Sequence, residues 1–394
     1  MRTVTWVAVA AALGVGYTGV AAPGTEVQGV VVAAAGDVAC DPTHRPRAGE
    51  CADAETARLL EGADLVLMLG DGQYPDGALE RYQNGYGRTW GRYRGRTRPV
   101  PGNHEYQTPG AAGYFAYFED LAGPAGLGYY AFEAGGWLLL ALNSNCWAVG
   151  GCGPGSPQFG WLTDRLSGPR GRCVLAYWHH PLFSAGRYSG YEPVRPWWEL
   201  LYRHGAAVVL TGHDHNYQRF PPLDGEGRPS GRGIRQFVVG TGGRNLYRAH
   251  RQAAVQPEVL RDDRFGVLRL RLLPGRYEWA FVATDGATLD HGASLCPAPG
   301  TGTRNQYQEP VPGTRNRGAS GCPVPGTGTR NASGGREPRR GRDWYLPWAG
   351  SGPRRLPARY LESVPGTPRG PEVGALGVVP NLGTSRKGPR NRKR

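Results

Sequence analysis

The chain has 394 residues, 39% of them hydrophobic, so it is long enough and apolar enough to bury a full core. Its formal net charge of +14 belongs to the C-terminal quarter. Residues 297–394 carry 18 Lys and Arg against 5 Asp and Glu, and this leaves residues 1–296 at +1. A near-neutral folded part argues against nucleic-acid binding except through that basic tail.

The N-terminus is typical of a secretory signal peptide over residues 1–21. Arg2 gives a positive start, Val4–Val20 is largely apolar, and small residues precede a cleavage point after Ala21. A membrane span needs about 20 apolar residues, and this run is shorter and is interrupted by Gly14, Gly16 and Thr18. The sequence therefore predicts a secreted or periplasmic protein with no membrane span in its mature form.

Short apolar, often β-branched runs alternate with longer helical runs along residues 27–296. The predicted strands are Val27–Ala35, Asp64–Leu69, Arg98–Pro101, Trp137–Asn143, Cys173–Trp178, Ala206–Thr211 and Gln236–Gly240. The predicted helices are Asp53–Glu61, Ser156–Leu166 and Val194–His204. A hairpin is expected from Phe265–Leu272 and Tyr277–Val282, which flank Pro274-Gly275. The alternation favours an α/β fold.

The seven cysteines suit an exported protein. Cys40 and Cys51, and likewise Cys146 and Cys152, are close in sequence, which leaves Cys173–Cys296 as the third expected bridge and Cys322 as the odd cysteine. The pairing stays open at this point, because six cysteines allow 15 connectivities. No Cys-x-x-Cys is present, which disfavours a cysteine-ligated zinc site.

Residues 297–394 differ in character, because 33 of the 98 are Gly or Pro and the arginines follow no helical or strand period. The segment beginning at Cys296 recurs in part at Cys322. Such a composition cannot bury enough apolar surface to offset its ordering entropy, so the tail is predicted to be disordered. One interpretation is a basic arm that binds polyanions. The favoured alternative is a dispensable extension or a stretch translated in the wrong frame.

Five motifs that carry metal-binding side chains follow predicted strands. They are Gly36-Asp37, Gly70-Asp71-Gly72-Gln73-Tyr74, Gly102-Asn103-His104-Glu105, Trp178-His179-His180-Pro181 and Gly212-His213-Asp214-His215. Ligands of open α/β sheets bind beyond the carboxyl ends of the strands. Oxygen and nitrogen donors suit first-row cations, and two neighbouring cations can activate water and hold a phosphate ester.

Each motif is weak by itself. A Gly-Asp pair is a common turn, and a histidine after a strand is often held by a backbone carbonyl. Tyr74 has an ordinary pKa of about 10, so its phenolate is costly unless a highly charged cation reverses that preference. His213 and His215 are the strongest pair, because two imidazoles two residues apart can address two ions. Five of the nine histidines fall in these motifs, which packing alone does not explain.

Taken in order, the five motifs resemble those of the calcineurin-like metallophosphoesterases, and more narrowly the purple acid phosphatase branch, over about residues 27–296. The resemblance implies a four-layer sandwich of two mixed β-sheets flanked by helices. The wider family usually has Asp-x-His in the first motif, where this chain has Ala39. Tyr74 takes the place of that histidine, as in the purple branch, and its phenolate favours a ferric ion.

The resemblance also implies the ligands. The first metal site would hold Fe(III) through Asp37, Asp71, Tyr74 and His215. The second would hold divalent Fe, Zn or Mn through Asp71, Asn103, His179 and His213. Asp71 would bridge the two ions and is assigned a catalytic role.

Other motif residues receive supporting roles from the same resemblance. His104 would protonate the leaving oxygen or orient the phosphate, and Asn103 and His180 would contact substrate. His179 is chosen as the ligand over His180 because it lies two residues before Pro181. Glu105 and Asp214 are expected to support ligands, and Gln218 stands where many relatives have glutamate.

The function implied is that of a secreted phosphatase that cleaves small phosphate monoesters by attack of a metal-activated hydroxide. Phosphodiesterase or nucleotidase activity on the same metals is the alternative, because pocket walls set substrate choice. Aromatics near the motifs could stack a base, namely Tyr106, Phe183, Tyr188 and Tyr217. A different class is a secreted binding protein with a dead site, recruited through its tail.

Overall fold

The computed structural model describes residues 29–47, 49–168, 171–250 and 252–297. The predicted signal peptide, the tail beyond residue 297 and Cys322 lie outside these residues, so those expectations remain predictions.

Two mixed sheets make up the described part of the chain. The six-stranded sheet has the order β13-β12-β11-β1-β2-β3. Its strands are β1 (Val30–Ala35), β2 (Leu65–Leu69), β3 (Thr97–Val100), β11 (Gly266–Leu273), β12 (Arg276–Ala283) and β13 (Thr288–Leu295). The first three run parallel, and β11 to β13 join them as an antiparallel meander against β1.

The seven-stranded sheet has the order β10-β8-β9-β7-β6-β5-β4. Its strands are β4 (Tyr130–Ala134), β5 (Trp137–Ala141), β6 (Cys173–Tyr177), β7 (Val208–Thr211), β8 (Tyr217–Leu223), β9 (Ile234–Val239) and β10 (Val259–Arg261). The central strands β5, β6, β7 and β9 run parallel. The remaining pairs, at both edges, are antiparallel.

Successive side chains of the central strands alternate between two apolar cores. Along β6, Leu175 and Tyr177 belong to a large core that also holds residues of the six-stranded sheet, whereas Val174 and Ala176 belong to a second core. This is the two-residue period of a strand buried on both faces. The large core therefore lies between the sheets.

Five α-helices accompany the sheets in the described residues: α1 (Asp53–Arg58), α2 (Leu79–Asn84), α3 (Ala112–Phe118), α4 (Pro157–Leu166) and α5 (Arg195–Arg203). Helix α4 begins where the Ser156 hydroxyl accepts a hydrogen bond from the Phe159 N–H, with Pro157 in the first turn. Helix α5 buries Trp197 and Trp198 in the second core, on the outer face of the seven-stranded sheet. The predicted fold of two mixed sheets flanked by helices is confirmed.

Sequence patterns missed four strands (β4, β8, β10 and β13) and two helices (α2 and α3). Strand β8 contains Pro221-Pro222, which reads as a turn, and its register against β9 shifts between Arg219 and Pro222. Strand β13 is an edge strand with alternating exposure and few apolar residues. Several predicted elements also extended beyond the observed ones. The first helix, for example, ends at Arg58 and not at Glu61.

Three disulfides join the predicted pairs Cys40–Cys51, Cys146–Cys152 and Cys173–Cys296. Cys173 is the first residue of β6, and Cys296 follows β13, so the third bridge ties one sheet to the other. No helix among the described residues is long and apolar enough to cross a bilayer.

Candidate metal centre

The motif residues leave the carboxyl ends of parallel strands in both sheets. Asp37, Asp71 and Asn103 follow β1, β2 and β3 of one sheet, while His179 and His213 follow β6 and β7 of the other. The edges of the two sheets meet there: the Gly36 N–H bonds the Val239 carbonyl at 2.9 Å. Loops from both sheets therefore converge on one place, as ligand sites in α/β folds do.

Four side chains of the predicted first site are in mutual contact. The Tyr74 hydroxyl lies 2.9 Å from Asp37 Oδ1, 3.0 Å from Asp71 Oδ2 and 3.0 Å from His215 Nε2. His215 Nε2 is also 3.1 Å from Asp37 Oδ1. Because the Nδ1 of His215 is 2.6 Å from the Asn245 carbonyl, its proton belongs there and Nε2 is an acceptor. Three acceptors thus surround one hydroxyl proton, which can satisfy only one of them.

The predicted second site has the same character. His179 Nε2 lies 3.2 Å from each of Asp71 Oδ2, Asn103 Oδ1 and His213 Nδ1. The other ring nitrogen of His179 is 2.9 Å from the Leu69 carbonyl, so the Nε2 lone pair faces the cluster.

These spacings fit bound cations. Neighbouring donor atoms of an octahedral site, each about 2.1 Å from the ion, lie about 3.0 Å apart. The observed separations of 2.9–3.2 Å match that spacing in both sets. Asp71 Oδ2 is common to the two sets, because it contacts Tyr74 of the first and His179 of the second.

Charge interactions inside the cluster oppose the effect of burial. Burial alone would raise the pKa of Asp71, but the neighbouring His179 and His104 hold it well below its usual value. Burial alone would lower the pKa of His179, yet the Asp71 carboxylate raises it to about 9. Burial and the carboxylates of Asp37 and Asp71 raise the pKa of Tyr74 well above its usual value. Without a cation, Tyr74 stays a phenol, and a highly charged ion would reverse that preference.

The backbone at three predicted ligands is in the sparsely populated left-handed region. The φ angles are 60° at Asp37, 50° at Asp71 and 71° at His213. Such conformations cost of order 1–3 kcal/mol each and cluster at functional sites. Gly70, at φ 86°, precedes Asp71, and a Cβ there would lie 2.5 Å from His179 Nδ1. Glycine is therefore required for the close approach of the two loops.

Glu105 joins the loops that follow β2 and β3 through hydrogen bonds and is not itself a predicted metal ligand. Its buried carboxylate accepts hydrogen bonds from the N–H groups of Asp71 and Gly72 at 2.9 Å and Gly102 at 2.6 Å, and from the Tyr82 hydroxyl at 2.7 Å. All four donors point to the same charge, so Glu105 fixes the loop after β2 against the loop after β3.

Asp214 and Gln218 support the His213–His215 turn from beneath. The buried Asp214 carboxylate accepts from the Ser184 hydroxyl at 2.5 Å and from the Tyr188 N–H at 3.2 Å. Gln218 accepts from the Ala185 N–H at 2.8 Å and donates to Asn216 Oδ1 at 2.8 Å. The neutral amide of Gln218 therefore satisfies both a donor and an acceptor at this position.

The two other predicted site histidines differ in access. The His104 side chain is 28% exposed, with Nδ1 2.5 Å from the Pro75 carbonyl and Nε2 3.9 Å from Asp71 Oδ2. His180 is buried, and its Nδ1 lies 2.8 Å from the Ser144 hydroxyl. Burial, and then the charge of His179, lower the pKa of His180 to about 3, so its imidazole is neutral.

The ligand residues of both predicted sets lie within residues 31–217, a segment that matches the family model for calcineurin-like phosphoesterases. This part of the chain is similar to that family. Among curated relatives, "Purple acid phosphatase 15" of Arabidopsis thaliana is 28% identical over 197 residues, which cover 40% of this chain and 36% of that protein. The "Nucleotide pyrophosphatase/phosphodiesterase" of Hordeum vulgare is 24% identical over 257 residues, 54% of this chain and 66% of that protein.

A solved structure agrees with the fold. Purple acid phosphatase PPD1 from yellow lupin (Lupinus luteus) superposes with a TM-score of 0.53 at 18% identity, over 70% of this chain and 57% of that chain. The predicted resemblance to the purple acid phosphatase branch of the calcineurin-like phosphoesterases is confirmed. The chain spans only 36% and 66% of the length of the two curated relatives described above.

Ala39, two residues after Asp37, is buried and lies beside Tyr74 in the fold. The Tyr74 N–H donates to the Ala39 carbonyl at 2.9 Å, so the two loops that carry Asp37 and Tyr74 are joined through this residue.

Sequence patterns missed several residues around the centre, among them Tyr247 and Arg244. Tyr247 stacks on His215, with ring centroids 3.9 Å apart and planes at 8°. Tyr188, which the sequence analysis named among the aromatics near the motifs, stacks on His213 at 4.2 Å. The guanidinium carbon of Arg244 lies 5.3 Å from the centroid of the Tyr74 ring. One sequence signal could have pointed to Arg244. The preceding pair Gly242-Gly243 comes just after a predicted strand and indicates a turn at the sheet edge where the ligand motifs lie. Tyr247 had no such signal.

Proposed function

We propose that the chain is an exported binuclear-metal phosphatase that hydrolyses small phosphate monoesters. One observation carries the proposal: Asp71 Oδ2 lies 3.0 Å from the Tyr74 hydroxyl and 3.2 Å from His179 Nε2, so one carboxylate oxygen belongs to two ligand sets. A shared carboxylate is what two adjacent cations require.

The residues that would hold the first ion are Asp37, Asp71, Tyr74 and His215, and those for the second are Asp71, Asn103, His179 and His213. The phenol of Tyr74 favours Fe(III) in the first set, and the mixed donors of the second suit divalent Fe, Zn or Mn. When bound, such a pair lowers the pKa of water and neutralises charge on phosphoryl oxygens.

The chain's own residues supply orientation and a proton. His104 directs Nδ1 to the Pro75 carbonyl, which leaves Nε2 on the side of Asp71. Because Nδ1–H is directed to that carbonyl, Nε2 carries a proton only in the imidazolium form, and in that form His104 can donate it to the leaving oxygen of an ester, as a general acid. The ring also contacts Tyr74, with centroids 4.3 Å apart, so it is held over the first ligand set. Asn103 and the neutral His180 would contact the phosphate or pack beside it.

Phosphodiesterase or nucleotidase activity is the second candidate. The aromatic side chains near the centre favour it, because Trp147 is 72% exposed and packs edge-on against Tyr106, while Tyr188 is 43% exposed beside His213. Exposed rings of this kind can stack a nucleobase. The barley relative's name states a nucleotide pyrophosphatase/phosphodiesterase activity for that protein.

Hydrolysis of p-nitrophenyl phosphate and of bis-p-nitrophenyl phosphate by the purified chain separates the two candidates. We expect the monoester to be cleaved faster, and Asp71→Asn to remove activity on both. Asp120→Asn, at an exposed carboxylate, is the control. Faster diester cleavage would replace the monoesterase proposal, and full activity of Asp71→Asn would refute the metal assignment.

Export is proposed from the N-terminal signal pattern together with the three disulfides. Mass spectrometry of the mature chain tests it, with cleavage near Ala21 as the expected result. A chain that ends at residue 297 should keep its activity. If the full chain bound polyanions through its tail and neither form hydrolysed any ester, the dead-site alternative would be correct.

A further inference from the structure

Two arginines beside the first ligand set have no carboxylate partner among the described residues. The guanidinium carbon of Arg244 lies 5.3 Å from the Tyr74 ring centroid, and that of Arg187 lies 5.3 Å from the Tyr247 ring centroid. Tyr247 in turn stacks on His215. Elsewhere in the fold, arginines such as Arg219 pair with acids, here Asp290 at 2.8 Å.

Both arginines are carried by segments that are fastened to the ligand loops. The Arg244 N–H donates to the Asp37 carbonyl at 2.9 Å. The preceding residue, Gly243, has φ 154°, and a Cβ there would lie 2.6 Å from the Val38 carbonyl oxygen, so only glycine fits this approach. The segment of Arg187 is held by the Tyr188 N–H, which donates to Asp214 between two predicted ligands. Their positions relative to the centre are therefore set by the backbone.

The two guanidinium groups flank the first ligand set. Arg187 lies over the Tyr247 ring, which stacks on His215, and His215 Nε2 contacts the Tyr74 hydroxyl beside Arg244. Two unpaired guanidinium groups next to a site for metal cations repel one another and the ions. That arrangement becomes favourable when an anion larger than a single phosphoryl group occupies the site, because a guanidinium binds phosphate oxygens through paired hydrogen bonds.

We propose that Arg187 and Arg244 form a second anion subsite, which binds a further phosphoryl group on the leaving-group side of the substrate. The inference rests on the proposed function and narrows its substrate class to phosphate compounds that carry two phosphoryl groups, such as a nucleoside diphosphate. Water adds its oxygen to the terminal phosphorus and releases one proton. The bridging P–O bond breaks, its electron pair stays on the bridging oxygen, and a nucleoside monophosphate leaves.

The matched substrates ADP and AMP test the subsite, since they share base and sugar and differ by one phosphoryl group. Arg187→Gln and Arg244→Gln should each lower the ratio of kcat/KM for ADP to that for AMP by about 10-fold, which corresponds to one charge-assisted hydrogen bond. The loss should fall mainly on KM. Arg244→Lys should recover part of it, because it keeps the charge but loses the planar fork.

Arg248→Gln is the control, because Arg248 lies on the same loop but is exposed and pairs with Asp262 at 3.2 Å. The ratio should be unchanged in this variant. An ADP to AMP ratio that stays at the wild-type value in both Arg187→Gln and Arg244→Gln would overturn the subsite, and so would an equal fall in Arg248→Gln.

Calorimetric binding of ADP and AMP separates this failure from failure of the proposed function. If the wild-type chain cleaves no phosphate ester, the phosphatase proposal fails, yet an arginine-dependent preference for binding ADP would still support the subsite. If the chain cleaves p-nitrophenyl phosphate but binds ADP and AMP equally in all variants, the phosphatase stands and the subsite is wrong.

Discussion

Glu105 offers a sharp test of how the ligand loops are held, because its carboxylate accepts from the Asp71 N–H without being a predicted metal ligand itself. In Glu105→Gln, the amide oxygen can replace Oε2 and still accept from the N–H groups of Asp71 and Gly102. The amide nitrogen then replaces Oε1, where the Tyr82 hydroxyl can turn and accept. The Gly72 N–H has no such freedom and loses its acceptor.

An unsatisfied buried donor costs about 1–3 kcal/mol. Removal of the charge offsets part of that cost. Burial and the nearby Asp71 carboxylate raise the pKa of Glu105, so its ionised form is disfavoured and a neutral amide avoids this penalty. We therefore expect Glu105→Gln to lower the free energy of unfolding by only about 1–2 kcal/mol. Metal affinity should fall more, by about 10- to 100-fold, as for other residues that orient ligands.

Urea unfolding in a chelating buffer measures the first effect, and metal titration of the folded protein measures the second. Glu80→Gln is the matched control, because Glu80 is an exposed residue of the short helix α2. If Glu105→Gln binds metal as tightly as the wild type, the four hydrogen bonds do not position Asp71 and our account of the loop junction is wrong.

Three further perturbations test separate parts of the centre and the fold. Tyr74→Phe should abolish a visible phenolate-to-iron(III) absorption, because Tyr74 is the phenol of the first ligand set. The control variant Tyr106→Phe should keep this absorption. An active, colourless, iron-free wild type would refute the ferric assignment. His104→Ala should slow cleavage of alkyl phosphates by about 100-fold or more and of p-nitrophenyl phosphate much less, because a poor leaving group needs a proton; equal losses in steady-state assays would contradict an acid role. Replacing both Cys173 and Cys296 by serine should lower the free energy of unfolding by about 2–5 kcal/mol, because their bridge closes a long loop with a sequence separation of 123. Urea unfolding measures the change, with Cys322→Ser as the control. An equal effect in both variants would count against the bridge.

The fold was predictable where the strands are buried on both faces. Such strands are continuous apolar runs, and β1, β2, β6, β7 and β9 were all found. Edge strands such as β13 and the proline-containing β8 were missed, because their pairing depends on neighbours from distant parts of the chain and not on local pattern.

The metal ligands were predictable as a set because they lie in short motifs that follow strands, and the carboxyl ends of those strands meet in the fold. The residues that surround them were not. Tyr247 and Ser144 reach the centre from loops with no repeating pattern, and only the tertiary fold brings them to His215 and His180. Two of the four hydrogen bonds to Glu105 come from residues more than 30 positions away in sequence. Its supporting role could therefore be named from the family resemblance, but its contacts could not.

Anomalous X-ray diffraction from crystals of the purified chain, recorded at the iron and zinc edges, tests the shared carboxylate most directly. Our account predicts two peaks roughly 3.5–4 Å apart, both within bonding distance of Asp71 and absent from Asp71→Asn crystals. A single peak, or two ions that have no ligand in common, would contradict it.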